Sequence, residues 1–192
     1  MHRNPFSAGE IESRLARVRA GLATRGLAAA VFAAPENVFW LTGLDHWGYF
    51  APHLLVVPVA GTPVLITRAM ERVTVERQVA AAEFDGHPDG ETAADRAAAV
   101  LRARGLAGAR LGLEMWTSGL SHGLGQRLTG AVEARWQDVS GLVDALRRVK
   151  SPEELALMRR AAAVSRAAEA VALAAPATAS ARPTSPPPAA RR

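Results

Sequence analysis

Cysteine is absent from this 192-residue chain, and lysine occurs only once, as Lys150. Without cysteine the protein can form neither a disulfide nor a thiolate metal site, and it has no thiol nucleophile. No stretch approaches the roughly 18 uncharged apolar residues that a transmembrane helix needs, and the amino terminus lacks the apolar core of a signal peptide. We therefore expect a cytoplasmic protein with no membrane partner.

The net charge of +5 is not concentrated in a binding surface. Residues 1–150 carry a net charge of +2 and residues 151–192 a net charge of +3. The larger part is nearly neutral, and it shows no basic stripe with aromatic residues between the charges. The composition therefore does not favour a nucleic acid as partner.

The apolar pattern predicts alternating helices and strands. Ser7 and Glu10 form a capping box for a first helix, in which apolar residues follow at helical spacing until Gly26. Residues 53–68 contain two β-branched runs around Gly61 and predict a hairpin. The remaining predictions are strands at 27–34, 109–115 and 131–140, helices at 35–43, 69–82, 91–105, 118–130 and 141–149, and a loop at 85–90. This order predicts an α/β fold, a mixed β-sheet with helices on both faces.

The stretch RRVKSPEELALMRRAA, residues 147–162, predicts the start of another helix. Ser151 is a favourable N-cap, Pro152 suits the first helical position, and Glu154 lies where a capping-box carboxylate would. We predict a domain at 1–149, a linker helix at 150–173 and a disordered tail rich in Pro, Ala and Arg at 174–192.

A possible nucleophile motif occurs at residues 119–123, where GLSHG matches G-x-S-x-G. The preceding strand is predicted to end near Met115, too early for the turn that would expose Ser121 as a nucleophile. No histidine follows His122, so the partners of a catalytic triad are missing as well. We interpret Ser121 as a polar residue in the first turn of a helix.

Two groups of histidines and carboxylates could in principle bind zinc or manganese. The first comprises Asp45, His46 and His53, and the second comprises Asp85, His87 and Asp89. Neither group shows the helical spacing of histidines that is typical of a metal site, and we interpret both as solvated loops without a metal. No glycine-rich motif for a nucleotide phosphate is present.

The segment LTGLDHWGYF, residues 41–50, concentrates Trp47, Tyr49 and Phe50 in a polar loop that contains glycine. Aromatic side chains in loops usually pack against something. Two alternatives stay open: the rings pack on the core of their own domain, or they form a subunit interface or the wall of a substrate pocket.

Three stretches together resemble one protein family. NVFWLTG at 37–43 resembles the N-x-x-Y/W-L-T/S-G segment in the amino-terminal domain of creatinases, prolidases and aminopeptidase P. The strand at 109–115 and the helix at 118–130 resemble later parts of that domain. Residues 142–162 resemble its exit into the catalytic domain. The resemblance covers about residues 10–172.

This resemblance implies a mixed sheet flanked by helices, in a domain that mainly supports dimerisation. In several family members its aromatic loop forms a wall of the neighbouring subunit's active site. The resemblance thus implies that Trp47, Tyr49, Phe50 and His53 touch a substrate or a partner subunit. Within the family, the loop LDHWGYF is most similar to creatinase- and ectoine-hydrolase-type members.

The family's catalytic groups lie in a carboxy-terminal domain, where two aspartates, a histidine and two glutamates surround two divalent metals such as Mn, Co or Zn; creatinases use none. After Lys150 this chain has only Glu153, Glu154 and Glu169 as carboxylates, and no histidine. The resemblance therefore implies a family of metal-dependent Xaa-Pro aminopeptidases, prolidases and creatinases. We expect this chain to lack catalytic residues, metal and cofactor, and to be inactive alone.

Three hypotheses about function follow. The chain is the amino-terminal domain of such a hydrolase, truncated before the catalytic domain and forming a homodimer. Alternatively, it is a free-standing binding or regulatory module that associates with a full-length relative. The third is an independent hydrolase that uses Ser121 or the histidine loops.

Overall fold

The computed structural model describes residues 4–46 and 51–174. These residues contain six strands: β1 (Ala29–Phe32), β2 (Leu54–Pro58), β3 (Val64–Arg68), β4 (Glu83–His87), β5 (Arg110–Leu113) and β6 (Arg135–Asp138). The strands form a single sheet in the order β4-β3-β2-β1-β5-β6.

The described residues also form seven α-helices: α1 (Ala8–Thr24), α2 (Pro35–Thr42), α3 (Arg72–Gln78), α4 (Ala93–Ala103), α5 (His122–Ala131), α6 (Leu142–Arg147) and α7 (Pro152–Ala174). A short 3₁₀ turn, Ala69–Glu71, precedes α3. None of the described helices is long and apolar enough to cross a membrane.

The sheet is mixed because β2 runs against both of its neighbours. It pairs antiparallel with β1 and with β3, whereas β1 with β5, β3 with β4, and β5 with β6 are parallel pairs. The carboxyl ends of five strands therefore meet at one edge of the sheet, together with the start of β2. We call this the carboxyl edge.

Two apolar cores cover the two faces of the sheet. One core includes Ile11 and Leu15 of α1, Leu41 of α2, Val75 of α3 and Val143 of α6. The other core lies under α4 and α5, where alanines of α4, Leu101 and Leu128 form a cluster with valine, leucine and isoleucine side chains of the strands. The predicted α/β fold with helices on both faces is confirmed.

The capping of α1 differs from the prediction in one bond. The Ser7 hydroxyl accepts a hydrogen bond from the Glu10 N–H, as expected of an N-cap. The Glu10 carboxylate, however, bonds the buried guanidinium of Arg14. The Glu153 carboxylate takes its place, because it accepts hydrogen bonds from both the Ser7 N–H (2.6 Å) and the Ser7 hydroxyl (2.8 Å).

The prediction of a loop at 85–90 was wrong, because Asp85, Gly86 and His87 belong to strand β4. A β-carbon on Gly86 would lie 2.8 Å from the Cα of Ala69, so this glycine permits close packing of the backbone beside β3. The helix predicted at 69–82 is shorter in the structure, where α3 spans Arg72–Gln78 and Val73 on it is exposed.

Helix α7 begins at Pro152, as its sequence predicts, and contains no buried residue. The chain divides after Glu153 into two compact units, of which the second holds most of α7. Large apolar side chains on this helix are exposed, among them Met158, Val164, Val171 and Leu173.

Candidate functional site

A cavity of about 700 Å³ opens at the carboxyl edge, where the segments that follow β1 and β5 meet. We call it the β1–β5 cavity. Its walls come from three segments of the chain: Pro35, Glu36 and Phe39; Leu44, Asp45, His46 and Pro52; and Ser118, Gly119 and Ser121. Open α/β sheets commonly bind ligands outside the carboxyl ends of their strands, which makes this cavity the candidate site.

The wall of the cavity is held in place by the buried carboxylate of Glu114, which follows β5 directly. Only 2% of this residue is exposed. One carboxylate oxygen accepts hydrogen bonds from the N–H groups of Ala33 (2.8 Å) and Ala34 (2.7 Å), and the other accepts one from the side-chain amide of Asn37. A buried charged acceptor with three donors fixes the turn between β1 and α2.

Asn37 connects Glu114 to helix α6. Its amide oxygen accepts a hydrogen bond from the Arg147 guanidinium at 2.7 Å. Its amide nitrogen also donates to the Asp144 carboxylate at 3.2 Å. The segment 37–43 and the exit segment at 142–162 are therefore joined through one buried side chain.

The end of α2 shapes the entry to the segment 44–46. The Thr42 hydroxyl donates to the carbonyl of Val38 and accepts from the N–H of Leu44. Gly43 follows with a φ of 83°, and a β-carbon there would overlap the amide of Asn4. Only glycine meets both the left-handed backbone and the close approach.

Polar contacts hold the next two residues against α3 and the turn before it. The N–H of Asp45 donates to the side-chain oxygen of Gln78 at 2.8 Å. The His46 ring nitrogen Nε2 lies 3.8 Å from the Glu71 carboxylate. Trp47, Tyr49 and Phe50 lie outside the described residues, so their role at a substrate or partner remains a prediction.

His53 is buried at the start of β2, with 2% of its surface exposed. Its ring centroid lies 4.8 Å from that of His46, and within residues 4–46 and 51–174 neither ring nitrogen has a hydrogen-bond partner. Burial, with a smaller effect from His46, lowers the pKa of His53 to about 4. The ring is therefore neutral at pH 7, and its contact with a substrate remains a prediction.

Ser121 caps helix α5: its hydroxyl accepts a hydrogen bond from the N–H of Leu124 at 3.3 Å. Its backbone is extended, with a φ of −64° and a ψ of 152°. The serine therefore stands at the start of a helix, one position before the first turn in which we placed it.

The residues of the two histidine groups do not form a metal centre. Within residues 4–46 and 51–174, no three side chains of His, Asp or Glu converge in a way that could hold a metal ion. His46 and His53 touch through their rings, whereas Asp85 bonds Arg96 and Asp89 bonds Arg68. The two-metal centre of the resembled family does not fit the described part of this chain.

Sequence reasoning missed Glu114 and the donor role of Asn37. A signal was available in LGLEM, where a glutamate follows a buried strand without an interruption. A carboxylate at that place must be paired. Its partners are separated from it by 77 to 81 positions, and local patterns do not identify such pairs.

The sequence of this chain is similar to known hydrolases over its larger part. Residues 14–149 match the family model of the Creatinase/Prolidase N-terminal domain. The ectoine hydrolase of Halomonas elongata is 29% identical over 170 residues, which cover 83% of this chain and 43% of that protein. An uncharacterized hydrolase/peptidase of Sinorhizobium fredii is 26% identical over a similar share. The chain thus spans less than half the length of these curated relatives.

Solved structures share the fold. The Xaa-Pro dipeptidase from Bacillus anthracis superposes with a TM-score of 0.71 at 19% identity, over 85% of this chain and 43% of that one. The Creatinase/Prolidase N-terminal domain of an X-Pro dipeptidase from Streptococcus pyogenes gives a TM-score of 0.59 at 21% identity. That match covers 69% of this chain and 98% of that domain.

Proposed function

Since the chain belongs to the creatinase/prolidase N-terminal domain family, we propose that it serves as the non-catalytic amino-terminal domain of a metallohydrolase. It pairs with a second chain, and the β1–β5 cavity with the segment 44–53 forms a wall of that hydrolase's substrate pocket. The main support for this proposal is that the buried polar groups beside the cavity make structural hydrogen bonds. Glu114 holds the backbone of the turn after β1, and Asn37 links Glu114 to Arg147 of α6, which suits a wall and not a reaction centre.

The lining of the cavity indicates which substrates such a wall would suit. Pro35, Phe39 and Pro52 give it an apolar surface, and Glu36 and Asp45 add two carboxylates. This combination favours a small ring or short peptide that carries a positive charge. Relatives named for Xaa-Pro dipeptides and for ectoine are in accord with a substrate of that size.

The exposed apolar side chains of α7 support a partner for this helix. Met158, Val164 and Leu173 are between 53% and 80% exposed. Large apolar side chains that are this exposed contribute favourable free energy when another surface covers them. The partner is either a second copy of this chain or a catalytic domain.

Two measurements on the purified chain test the proposal. We expect no hydrolysis of Xaa-Pro dipeptides or of ectoine, with or without Mn²⁺, and a mass by light scattering of twice 20.3 kDa. Metal-dependent turnover would overturn the non-catalytic role. A monomer throughout the micromolar range would overturn the pairing.

A second candidate is a free-standing module that associates with a longer relative of the same family, and the exposed α7 residues favour it equally. Co-expression with such a relative separates the two. A mixed complex that persists through purification supports the module, whereas separate homodimers support the first proposal.

A further inference from the structure

A second cleft, of about 440 Å³, lies at the carboxyl edge beside the ends of β3 and β4 and the start of α4. We call it the His87 cleft. Its buried surface includes His87, Ala51 and Ala93, and its exposed rim includes Asp89 and Glu91. Pro52 lines both this cleft and the β1–β5 cavity, so the start of β2 lies between them.

His87 presents an unused hydrogen-bond acceptor to this cleft. The residue is 5% exposed and pairs with Arg68 in the register of β3 and β4. Its Nδ1 lies 3.0 Å from the carbonyl oxygen of Pro88, which can only accept, so Nδ1 carries the proton of the neutral ring. Nε2 is then a buried acceptor, and it has no hydrogen-bond partner among the described residues. Buried polar atoms are nearly always paired, so an unpaired one at a cleft indicates a missing donor.

Carboxylates outnumber cations among the charged residues that line the cleft. Two nitrogens of the Arg68 guanidinium donate hydrogen bonds to the same oxygen of Asp89, at 3.1 and 2.8 Å. Arg96, behind the cleft, bonds Asp85 at 2.7 Å. Glu91 interacts electrostatically with Arg96, and among the described residues its carboxylate and the second oxygen of Asp89 accept no side-chain hydrogen bond.

The amino-terminal end of α4 does not make the cleft an anion-binding site. The Thr92 hydroxyl accepts from the N–H of Asp95 and donates to the Asp95 carboxylate, in a complete capping box. An anion placed there would face the carboxylates of Asp89 and Glu91. The cleft therefore suits a positively charged ligand.

We propose that the His87 cleft binds a small organic cation that carries N–H donors, a primary alkylammonium. Its N–H groups donate to His87 Nε2 and to the carboxylates of Asp89 and Glu91, while its short alkyl chain lies against Ala51, Ala93 and Leu124. This proposal depends on the geometry of the cleft and is independent of the proposed function.

A titration with n-propylammonium tests the proposal, with the ring ¹H–¹³C signals of His87 followed by NMR. We expect a saturable shift in the millimolar range. Tetramethylammonium, which has the same charge and no N–H group, should give no saturable shift. No saturation with n-propylammonium, or an equal response to both cations, overturns the proposal.

Variants localise the binding. Glu91→Gln keeps the shape of the rim and removes one charge, and we expect affinity to fall about five- to tenfold because a charge-assisted bond is lost. Glu133→Gln, at an exposed position outside the cleft, should leave the affinity unchanged. His87→Phe should abolish binding, with circular dichroism used to verify the fold, and His87→Gln should restore part of it. Equal affinities in Glu91→Gln and the control would contradict the assignment.

Discussion

At the β1–β5 end of the carboxyl edge, the buried side chains of Glu114 and Asn37 have hydrogen-bond partners. At the β2–β4 end, three buried side chains have polar atoms without a partner in the part of the chain that the structure describes. These are His53, Thr67 and His87. His53 precedes β2, and Thr67 and His87 lie near the ends of β3 and β4. Because Thr67 faces Gly86 and Arg68 faces His87, the side chains of Thr67 and His87 project from opposite faces of the sheet. The two ends of the carboxyl edge therefore differ in whether their buried polar groups have hydrogen-bond partners.

Buried groups with hydrogen-bond partners stabilise the fold, whereas buried groups without partners can bind a ligand. Paired groups at the β1–β5 end fix the backbone of the turn after β1, and removing any of them leaves a partner unsatisfied. Unpaired groups at the β2–β4 end lower the stability of the fold, and the unused acceptor of His87 is available to a ligand.

Removing the Glu114 carboxylate should have the largest effect. Glu114→Ala leaves the N–H groups of Ala33 and Ala34 and the amide of Asn37 without their acceptor. We expect the free energy of unfolding, measured with urea, to fall by about 3–5 kcal/mol. The exposed Glu133→Ala should change it by less than about 0.5 kcal/mol. Equal stabilities of the two variants would show that the network does not hold the turn.

Burial of His53 should make stability depend on pH. The pKa of its ring is about 4 in the folded protein against 6.5 for an unperturbed histidine. Above pH 6.5 both states are neutral, and the full stability is present. Between pH 6.5 and 4 the unfolded chain binds a proton that the folded chain does not, so the free energy of unfolding falls by up to about 3 kcal/mol.

The variant His53→Leu isolates this effect, since it should lose less stability than the wild type over the same pH range. Asp95, whose pKa is lowered to about 2 mainly by hydrogen bonds from Arg127 and Thr92, loses its contribution below about pH 4 and lies outside this window. Parallel curves for the variant and the wild type between pH 6.5 and 4 would contradict the assignment to His53.

Two threonines provide the smallest and most closely matched comparison. Thr42 and Thr67 are equally buried, but the Thr42 hydroxyl makes two hydrogen bonds and the Thr67 hydroxyl makes none with any described residue. We expect Thr42→Val to lower the free energy of unfolding by about 1–2 kcal/mol and Thr67→Val to raise it by up to about 1 kcal/mol. Urea unfolding of both variants measures the difference, and effects of the same sign would remove the contrast between the two ends.

Local signals were sufficient for most of the fold. The cap at Ser7, the hairpin around Gly61 and the Pro152 start of α7 each depend on a few neighbouring residues, and the structure contains them all. Strand β4 was missed because Asp85 and Gly86 are typical of turns. Its position depends on pairing with β3, which supplies the hydrogen bonds that a turn would otherwise need.

The candidate site was less accessible from the sequence than the fold. The segment 37–43 was singled out by its resemblance to a family, but the reason for its asparagine appears only when Glu114 and Arg147 lie beside it. These residues are 77 and 110 positions away from Asn37. Hydrogen-bond pairing over such distances depends on the packed structure and leaves no periodic signal.

Asn37 also limits which sequences can occupy this fold. Glu114 only accepts hydrogen bonds and Arg147 only donates them, so the side chain between them must present a donor to one and an acceptor to the other. An aspartate at position 37 would set two acceptors against each other, and a leucine would satisfy neither neighbour. The residues at positions 37, 114 and 147 are therefore coupled. A change at one position requires compensating changes at the others.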